Sequence, residues 1–442
     1  MSTRHEFVEE SRAEWTSEPA FIASMAAAAV GLGNLWRFPY IAGENGGGAF
    51  IVAYLLALVV VVMPIMILEV AAGRLAKGST VQTFRQIGRF GVVYGWFVVL
   101  ITMVITSYYL VITGWTLGYA VDAVRGDLKG FDAFSAGYAS LGWFAVVTLL
   151  AALVLARDVR GIEQISKLLM PVLLVVIIGL VFAASRTPGW EQTKSFFFDV
   201  DWRRLGDGKL WAFAFGQAFY SLAIGQGYLV TYGSFIPRKT HVPRACIIVA
   251  GVETSVALLA GWMIFPFVFS LGLAPDEGSQ LAFETLPRVF DGLPGGAWLA
   301  VLFFGLFFAA AFSSSLAGLK VMTAAVAEEF RLRNGSAVLV VTSLMLVLGA
   351  ASALSFTPLQ WQIAGEPVLE VLDRIAGGNV IIFSGVLGAA LFCWFVPPQH
   401  IRTVLGTASR WFEWRIYLIG RYVPLLMALY VVVTYAIAQL RQ

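Results

Sequence analysis

Charged residues are scarce in this sequence of 442 residues. Asp, Glu, Lys and Arg together make up 13% of the chain, whereas a soluble domain carries about 25%. Hydrophobic residues make up 59%, and the mean hydropathy is +0.80. This composition indicates a polytopic membrane protein. The net charge of +3 is small and no basic tract is interleaved with aromatic residues, which argues against a nucleic-acid partner.

Cysteine and histidine are also rare. The two cysteines, Cys246 and Cys393, lie near predicted cytoplasmic ends of apolar segments, so we expect no structural disulfide. Neither has a partner at metal-ligand spacing. The three histidines, His5, His241 and His400, all lie in terminal or loop segments. An intramembrane enzyme would need catalytic side chains at membrane depth, so the sequence does not favour an enzyme.

Long apolar runs, by contrast, are abundant. A helix needs about 20 apolar residues to cross the hydrocarbon core of a bilayer, and we count eleven runs of that length. They cover residues 19–42, 49–75, 94–124, 138–156, 161–184, 209–235, 242–272, 295–328, 336–354, 370–395 and 417–439. The polar segment 1–18 has no short apolar core with a cleavage site, so we interpret it as a cytoplasmic tail and not as a signal peptide.

The distribution of Lys and Arg predicts the orientation. With the N-terminus in the cytoplasm, most basic residues fall in cytoplasmic segments, whereas acidic residues crowd the outer side. Eleven spans then leave the C-terminus outside, in a plasma (inner) membrane. The predicted organisation is a tail, five spans, an extracellular loop, five more spans, and a cytoplasmic loop with the last helix. These parts cover residues 1–18, 19–184, 185–208, 209–395 and 396–442.

Two of the spans are rich in glycine and polar residues. The first breaks near 29–33, where Gly31 and Gly33 precede Asn34. The sixth carries Gly216, Gly225 and Gly227 together with Gln217, Ser221 and Gln226. Matched interruptions in the first and sixth spans indicate a transporter site built on an inverted repeat, because opened helices expose main-chain groups that need a partner. Close packing of a neighbouring helix on the glycines is the alternative.

Other polar side chains fall at membrane depth. Ionisable residues there are functional candidates, since each costs about 3 kcal/mol to insert. Glu69 lies in the second span and Glu253 in the seventh, and Asp373 opens the tenth on the outer side. Tyr108 and Tyr109 fall near the middle of the third span. The eighth carries three consecutive serines, 313–315, which could instead bond back to their own helix.

These segments resemble the neurotransmitter/sodium symporter family. The likeness rests on "AVGLGNLWRFPY" followed by "ENGGGAF", and is supported by "ILEVAAGR", "YYLVITGWTLGY", "GQAFYSL" and "SSS" in the second, third, sixth and eighth spans. It covers nearly all the chain, and the count of eleven spans resembles bacterial amino-acid/sodium symporters of the family that lack a twelfth helix. The fold it implies is an all-α polytopic membrane protein of eleven transmembrane helices, with a LeuT-type five-plus-five inverted repeat in which helices 1 and 6 are interrupted.

The resemblance implies two sodium sites. The first would be formed by the Ala29 carbonyl, Asn34, Ser221 and Glu253, completed by the substrate carboxylate. The second would be formed by carbonyls of Ala27, Val30 and Ala310 with the hydroxyls of Ser313 and Ser314. Two departures matter here. Glu253 stands where many members have Asn or Asp, and Ala257 stands where chloride-dependent members have Ser. A fixed carboxylate would replace chloride, so we do not expect chloride as a cofactor.

The resemblance also implies an amino-acid site. The substrate carboxylate would meet the main-chain N–H groups of Leu32 and Gly33 and the hydroxyl of Tyr109. Its ammonium would face carbonyls of Ala29, Tyr220 and Ser221. The rest of the pocket wall would be formed by Ile105, Ala223, Gln226, Ser314 and Gly318. Gly31 is not acidic, whereas monoamine transporters carry a carboxylate there. The substrate should therefore be an α-amino acid with its own carboxylate.

Gates on both sides are implied by the same resemblance. Arg37 and Asp373 would form the outer gate, with Gln217 nearby and Tyr220 as a lid. Arg12 and Glu328 would pair at the inner gate beside Trp15. Glu69 would brace the opened sixth helix.

The function that follows is symport of a neutral L-amino acid with sodium by alternating access. Hydrophobic or aromatic substrates are favoured by the small residues Ala223 and Gly318, whereas Gln226 leaves a small or polar amino acid as the alternative. An ion channel is a rival of a different class, although it would need a continuous polar pore where the sequence shows isolated polar clusters. Besides the lipid bilayer and the substrate, no obligate protein partner is inferred.

Overall fold

The structure is a computed structural model. It describes residues 14–135, 137–237, 239–275, 283–284, 286–287, 290, 295–406, 409–423 and 426, with the main chain alone at 378 and 379. Arg12 and most of the predicted eleventh span lie outside the described residues.

The described chain is almost entirely helical. The helices of the first half are α1 (Glu18–Ala29), α2 (Gly33–Glu44), α3 (Gly48–Ala76), α4 (Thr80–Arg85), α5 (Arg89–Arg125), α6 (Phe131–Ser135), α7 (Ala139–Leu155) and α8 (Asp158–Ala184). Those of the second half are α9 (Trp190–Phe198), α10 (Gly208–Ser221), α11 (Tyr228–Gly233), α12 (Val242–Ser270), α13 (Gly296–Glu329), α14 (Asn334–Leu354), α15 (Val368–Phe395), α16 (Pro398–Leu405) and α17 (410–423). Two short antiparallel strands, β1 (Gln362–Ile363) and β2 (Glu366–Pro367), form a hairpin before α15.

The helices match the predicted spans closely. Among the described residues, seven helices are long and apolar enough to cross a membrane, and α1 with α2 forms an eighth span bent by 52°. The shorter α7 and the interrupted pair α10 and α11 correspond to two further predicted spans, and α17 overlaps the beginning of the predicted eleventh span. The fold is thus the all-α polytopic one expected, and the count of eleven is consistent with it.

The outer surface of α8 shows how the bundle meets lipid. Large apolar side chains recur along one stripe of this helix and are exposed: Leu168, Val172, Val175, Ile178 and Phe182. Their spacing of three or four residues places them on one face. Exposed apolar side chains at this density suit a hydrocarbon environment.

The predicted extracellular loop 185–208 is largely structured. It contains α9 and a short 3₁₀ turn at Trp202–Gly206. The aromatic rings of Phe196 and Phe197 pack on Phe265 of α12, with ring centroids 4.9 and 5.5 Å away. The segment therefore lies folded against the bundle.

Both predicted helix breaks are present. The first separates α1 from α2 between Ala29 and Gly33, as expected. The second separates α10 from α11, and in it Ala223, Gly225 and Gly227 all have positive φ. A Cβ on Gly225 would lie 2.5 Å from main-chain atoms of α15, so only glycine fits there. Gly216 was wrongly grouped with this break, because it lies inside α10.

Candidate functional site

The two helix breaks open onto one cavity in the middle of the bundle. It is lined by Ala28, Ala29, Gly31, Gly33, Ile105, Tyr109, Tyr220, Ala223, Gln226, Tyr228 and Ser314. The predicted substrate residues present in this lining are Ala29, Gly33, Ile105, Tyr109, Tyr220, Ala223, Gln226 and Ser314. Residues from α1, α2, α5, α10, α11 and α13 therefore converge here, although they are far apart in sequence.

Three predicted substrate residues do not line the cavity. Leu32 and Ser221 are buried beside it. Gly318 lies behind the wall, since a Cβ there would meet the hydroxyls of Thr106 and Tyr228 at 2.3 and 2.7 Å. The placement of Gly318 in the wall is therefore corrected: Tyr228 occupies that part of the lining. The sequence analysis did not single out Tyr228, because no local pattern shows that the residue after Gly227 faces the cavity.

The first break presents main-chain donors next to a tyrosine hydroxyl. The N–H group of Leu32 donates to the hydroxyl of Tyr109 at 2.9 Å. That hydroxyl keeps its own proton available for an acceptor in the cavity. A Cβ on Gly31 would lie 2.5 Å from the Tyr109 oxygen, so the close approach of these groups requires glycine at position 31. This arrangement suits an anion such as a carboxylate.

Glu253 lies at the centre of a buried polar cluster. Its carboxylate accepts hydrogen bonds from the Asn34 amide and from the hydroxyl of Thr254 at 3.1 Å. The Tyr54 hydroxyl is a longer contact at 3.5 Å, and Ser221 is a further neighbour. Glu253 itself is fully buried, and no ion pair among the described residues includes it. Asn34, Ser221 and Glu253, predicted to share the first sodium site, are thus brought together.

The residues predicted for the second sodium site lie where α1 and α13 pack together. Ala27 is the third-last residue of α1 and Val30 caps that helix, while Ala310, Ser313 and Ser314 follow one another along α13. In this structure the Ser313 hydroxyl lies 3.0 Å from carbonyls of Ala309 and Ala310 in its own helix. Ser313 therefore bonds back to its own helix in this structure, which is the alternative given above. The role of Ser313 as a sodium ligand stays a prediction.

The predicted outer gate is not a direct ion pair. Arg37 and Asp373, both of which the structure describes, form no ion pair with each other. Arg37 instead lies over the ring of Tyr220, 4.6 Å from its centroid, and donates to the Gln217 side chain at 3.2 Å. Asp373 accepts from the Tyr108 hydroxyl at 2.8 Å. Tyr108 is therefore part of this polar group on the outer side of the cavity.

Gln217 connects the outer side to both helix breaks. Its amide nitrogen donates to the Gly33 carbonyl at 2.9 Å and to the Ser221 hydroxyl at 3.0 Å. Its oxygen accepts from Arg37. The side chain of Gln217 thus connects α2 with α10 next to the cavity.

On the side of the bundle predicted to be cytoplasmic, Trp15 packs against α11 and the residues that follow it. Its indole N–H donates to the Tyr232 carbonyl at 3.1 Å, and its main-chain N–H donates to the Phe235 carbonyl at 3.0 Å. The indole also packs on the Tyr232 ring, with centroids 5.2 Å apart. Glu328 accepts from the Ser79 main chain at 2.6 Å. The pairing of Glu328 with Arg12 lies outside the described residues.

Glu69 supports the second break. One carboxylate oxygen accepts from the main-chain N–H of Gly225 at 2.9 Å. The Gly225 carbonyl in turn accepts from the Ser384 hydroxyl at 2.7 Å, and the Gln226 carbonyl accepts from Thr102 at 2.6 Å. The main-chain groups freed by the opened helix are thus satisfied by side chains of three neighbouring helices.

An ion pair in which only the lysine is buried was not foreseen from the sequence. Lys320 of α13 contacts the carboxylate of Asp158 at the start of α8, and its ammonium lies 5.0 Å from the Phe235 ring centroid. The side chain of Lys320 is 5% exposed and that of Asp158 is 32% exposed. Lys320 follows a long apolar stretch, and the sequence does not indicate which helix it faces.

The model of the sodium:neurotransmitter symporter family matches residues 12–132 and 136–442 of this chain. The chain belongs to this family. Its relatives include a protein of Haemophilus influenzae named "Uncharacterized sodium-dependent transporter", 30% identical over 90% of this chain and 92% of that one. A protein of Bacillus subtilis with a similar name is 31% identical over 87% of this chain and 88% of its own length.

Among solved structures, MhsT in complex with L-phenylalanine superposes with a TM-score of 0.87. It is 34% identical, and the match covers 96% of this chain and 99% of MhsT. Members of the family are sodium-dependent symporters. The present member is therefore a multi-pass membrane transporter that uses sodium and takes a small-molecule substrate, with the fold of MhsT.

Proposed function

We propose that this symporter carries a neutral L-amino acid, preferably a large hydrophobic or aromatic one, together with sodium. The observation that carries the proposal is the pairing of Leu32 N–H with the Tyr109 hydroxyl at the edge of the cavity. A carboxylate placed there can accept from Tyr109 and from the helix break. No acidic side chain stands among the lining residues to hold a free amine, so the substrate should bring its own carboxylate.

The ammonium of such a substrate needs acceptors. Carbonyls at the two breaks, those of Ala29, Tyr220 and Ser221, are the groups we assign to it. Small residues line much of the remaining cavity, namely Ala28, Gly31 and Ala223, and leave room for a bulky side chain. MhsT, which is similar along nearly its full length, was solved with L-phenylalanine, and this supports a large substrate.

The sodium sites we propose are those that the sequence suggested. Glu253 has hydrogen-bond donors but no basic partner in the described chain, and a buried carboxylate in this state favours a cation beside it. The first ion would be held by Glu253, Asn34, Ser221 and the carbonyl of Ala29. The second would be held between α1 and α13. With Glu253 supplying the negative charge, we propose two sodium ions and no requirement for chloride.

Transport would proceed by alternating access in a plasma membrane, with the N-terminus inside and the C-terminus outside. The outer polar group of Arg37, Gln217, Tyr108 and Asp373 would open and close above the cavity. The contacts of Trp15 would do so below it. Sodium entering down its electrical gradient supplies about 2.3 kcal/mol per charge per 100 mV, which drives substrate accumulation.

A small or polar neutral amino acid is the second candidate, favoured by the side chain of Gln226 in the lining. An ion channel is a remote third. Stoichiometric coupling separates these classes: in proteoliposomes, sodium flux through a symporter requires the substrate, whereas sodium flux through a channel does not.

The deciding experiment is a thermal-shift screen of the purified protein against the twenty amino acids, in sodium and in potassium buffer. A ligand at 100 times its Kd stabilises the protein by about 2.7 kcal/mol. We expect large neutral amino acids to raise the melting temperature in sodium only. Stabilisation by none of the twenty in sodium would overturn the proposal.

A further inference from the structure

A group of hydroxyl and amide side chains lies at the α5–α11 side of the cavity, away from the groups assigned to the substrate carboxylate and ammonium. It consists of Gln226, Tyr228 and Thr106. Gln226 and Tyr228 line the cavity, and Thr106 lies behind them on α5. These three form what we call the polar wall.

The polar wall is short of hydrogen-bond partners. The buried hydroxyl of Thr106 lies beside the hydroxyl of Tyr228, and neither of these two hydroxyls has any other hydrogen-bond partner among the described residues. The side-chain amide of Gln226 likewise makes no hydrogen bond within the described part of the chain, and only its main-chain carbonyl is used, by Thr102. Buried polar groups in proteins are usually paired, so such a group facing a cavity indicates a polar ligand atom.

Gly318 makes this arrangement possible. A Cβ at position 318 would lie 2.3 Å from the Thr106 hydroxyl and 2.7 Å from the Tyr228 hydroxyl. Any larger residue would push these groups apart or fill the space between them. Glycine therefore does more than enlarge the pocket, because it lets two hydroxyls meet at its edge.

We propose that the polar wall selects, among large neutral amino acids, those whose side chain ends in a hydrogen-bonding group. The inference rests on the proposed function. Tyr228 and Gln226 contact the end of the substrate side chain, and Thr106 is a positioning residue that orients the Tyr228 hydroxyl. An apolar side chain of the same size would leave these groups unpaired, and sites of this kind reject the analogue that lacks the polar atom.

L-tyrosine and L-phenylalanine are the matched probes, because they differ by one hydroxyl. Binding of each to the purified protein in sodium is measured by isothermal titration, with potassium as the blank. We expect tyrosine to bind about tenfold more tightly than phenylalanine. Tyr228→Phe and Gln226→Leu should each bring the ratio close to one, mainly by weakening tyrosine. Thr106→Val should reduce the ratio, and Thr106→Ser should restore it.

Two control variants remove a hydroxyl elsewhere. Tyr119→Phe removes one that donates to the Phe283 carbonyl, and Thr148→Val removes one that bonds back within α7. Both should leave the ratio unchanged. Equal binding of the two probes, or a ratio that Tyr228→Phe, Gln226→Leu and Thr106→Val leave unchanged, would overturn the inference while the proposed function stands. Sodium-dependent binding of neither probe to the wild-type protein would also overturn it, and stabilisation by none of the twenty amino acids would overturn the proposed function as well. If a variant unfolds, the competition of the two probes for the wild-type protein is measured in its place.

Discussion

The side-chain nitrogen of Asn34 donates to Glu253 twice, to its carboxylate and to its main-chain carbonyl at 3.3 Å. The same asparagine uses its oxygen to accept from the Gly31 N–H at 3.1 Å. Asn34 thus ties the opened first span to the acidic side chain of α12. A sodium ion bound here would compete for the same carboxylate and amide oxygens. At the proposed first sodium site, ion binding and the geometry of the break would therefore be linked through one side chain.

Glu253→Gln should weaken sodium binding. It removes the only charge among the protein side chains assigned to the first ion, so we expect the apparent sodium affinity in substrate uptake to fall at least tenfold. Wild-type uptake should be the same in chloride and in gluconate, and added chloride should partly restore the variant. Glu366→Gln, at the exposed pair with Arg374, is the matched control. A tenfold drop of wild-type uptake in gluconate would contradict chloride independence.

Tyr109→Phe should weaken substrate binding, and it also leaves the buried N–H group of Leu32 without its acceptor. It removes a donor to a charged acceptor, worth about 1.5–3 kcal/mol, so Kd should rise tenfold or more. The measurement is equilibrium binding of the best ligand in saturating sodium. Tyr119→Phe, in the same helix, should leave Kd unchanged. An unchanged Kd in Tyr109→Phe would reduce this residue to a packing role.

Gly318→Ala should lower affinity for large ligands selectively. Its Cβ would displace Tyr228 into the cavity, and overpacking of this kind costs about 1–3 kcal/mol. Competition binding with tryptophan against alanine tests the expectation. Gly305→Ala in the same helix is the control, since a Cβ there meets no atom within 4 Å. Equal losses for both ligands would show that position 318 does not act through the cavity.

Lys320→Met and Asp158→Asn should each destabilise the protein. Each removes one member of this ion pair, and breaking a pair in this way costs about 3–5 kcal/mol when both members are buried. Asp158 is partly exposed, so a smaller loss is expected. Melting temperatures of the two single variants and the double variant form the test. The double variant should be more stable than the sum of the single losses predicts, whereas strict additivity would show that the pair is not coupled.

Hydropathy and glycine content predicted both breaks and the first ten spans, which the described residues contain. These properties depend on the requirements of lipid, where a long apolar run becomes a helix and an opened helix needs partners. Ala29 and Gly33 border the first break as expected, and Gly225 and Gly227 lie in the second. The family resemblance rests on the same local motifs. Gly216, inside α10, shows the limit, because a single glycine is compatible with an unbroken helix.

Only the packing of the helices decided which neighbour, or which part of the cavity, each side chain faces. Whether Gly318 or Tyr228 lines the cavity depends on the rotation of α13 and on the entry angle of α11. Lys320 and Asp158 are 162 residues apart in sequence, and no local pattern predicts their contact. Periodicity shows that a residue belongs to a helix, but the neighbour it meets depends on how several helices pack together.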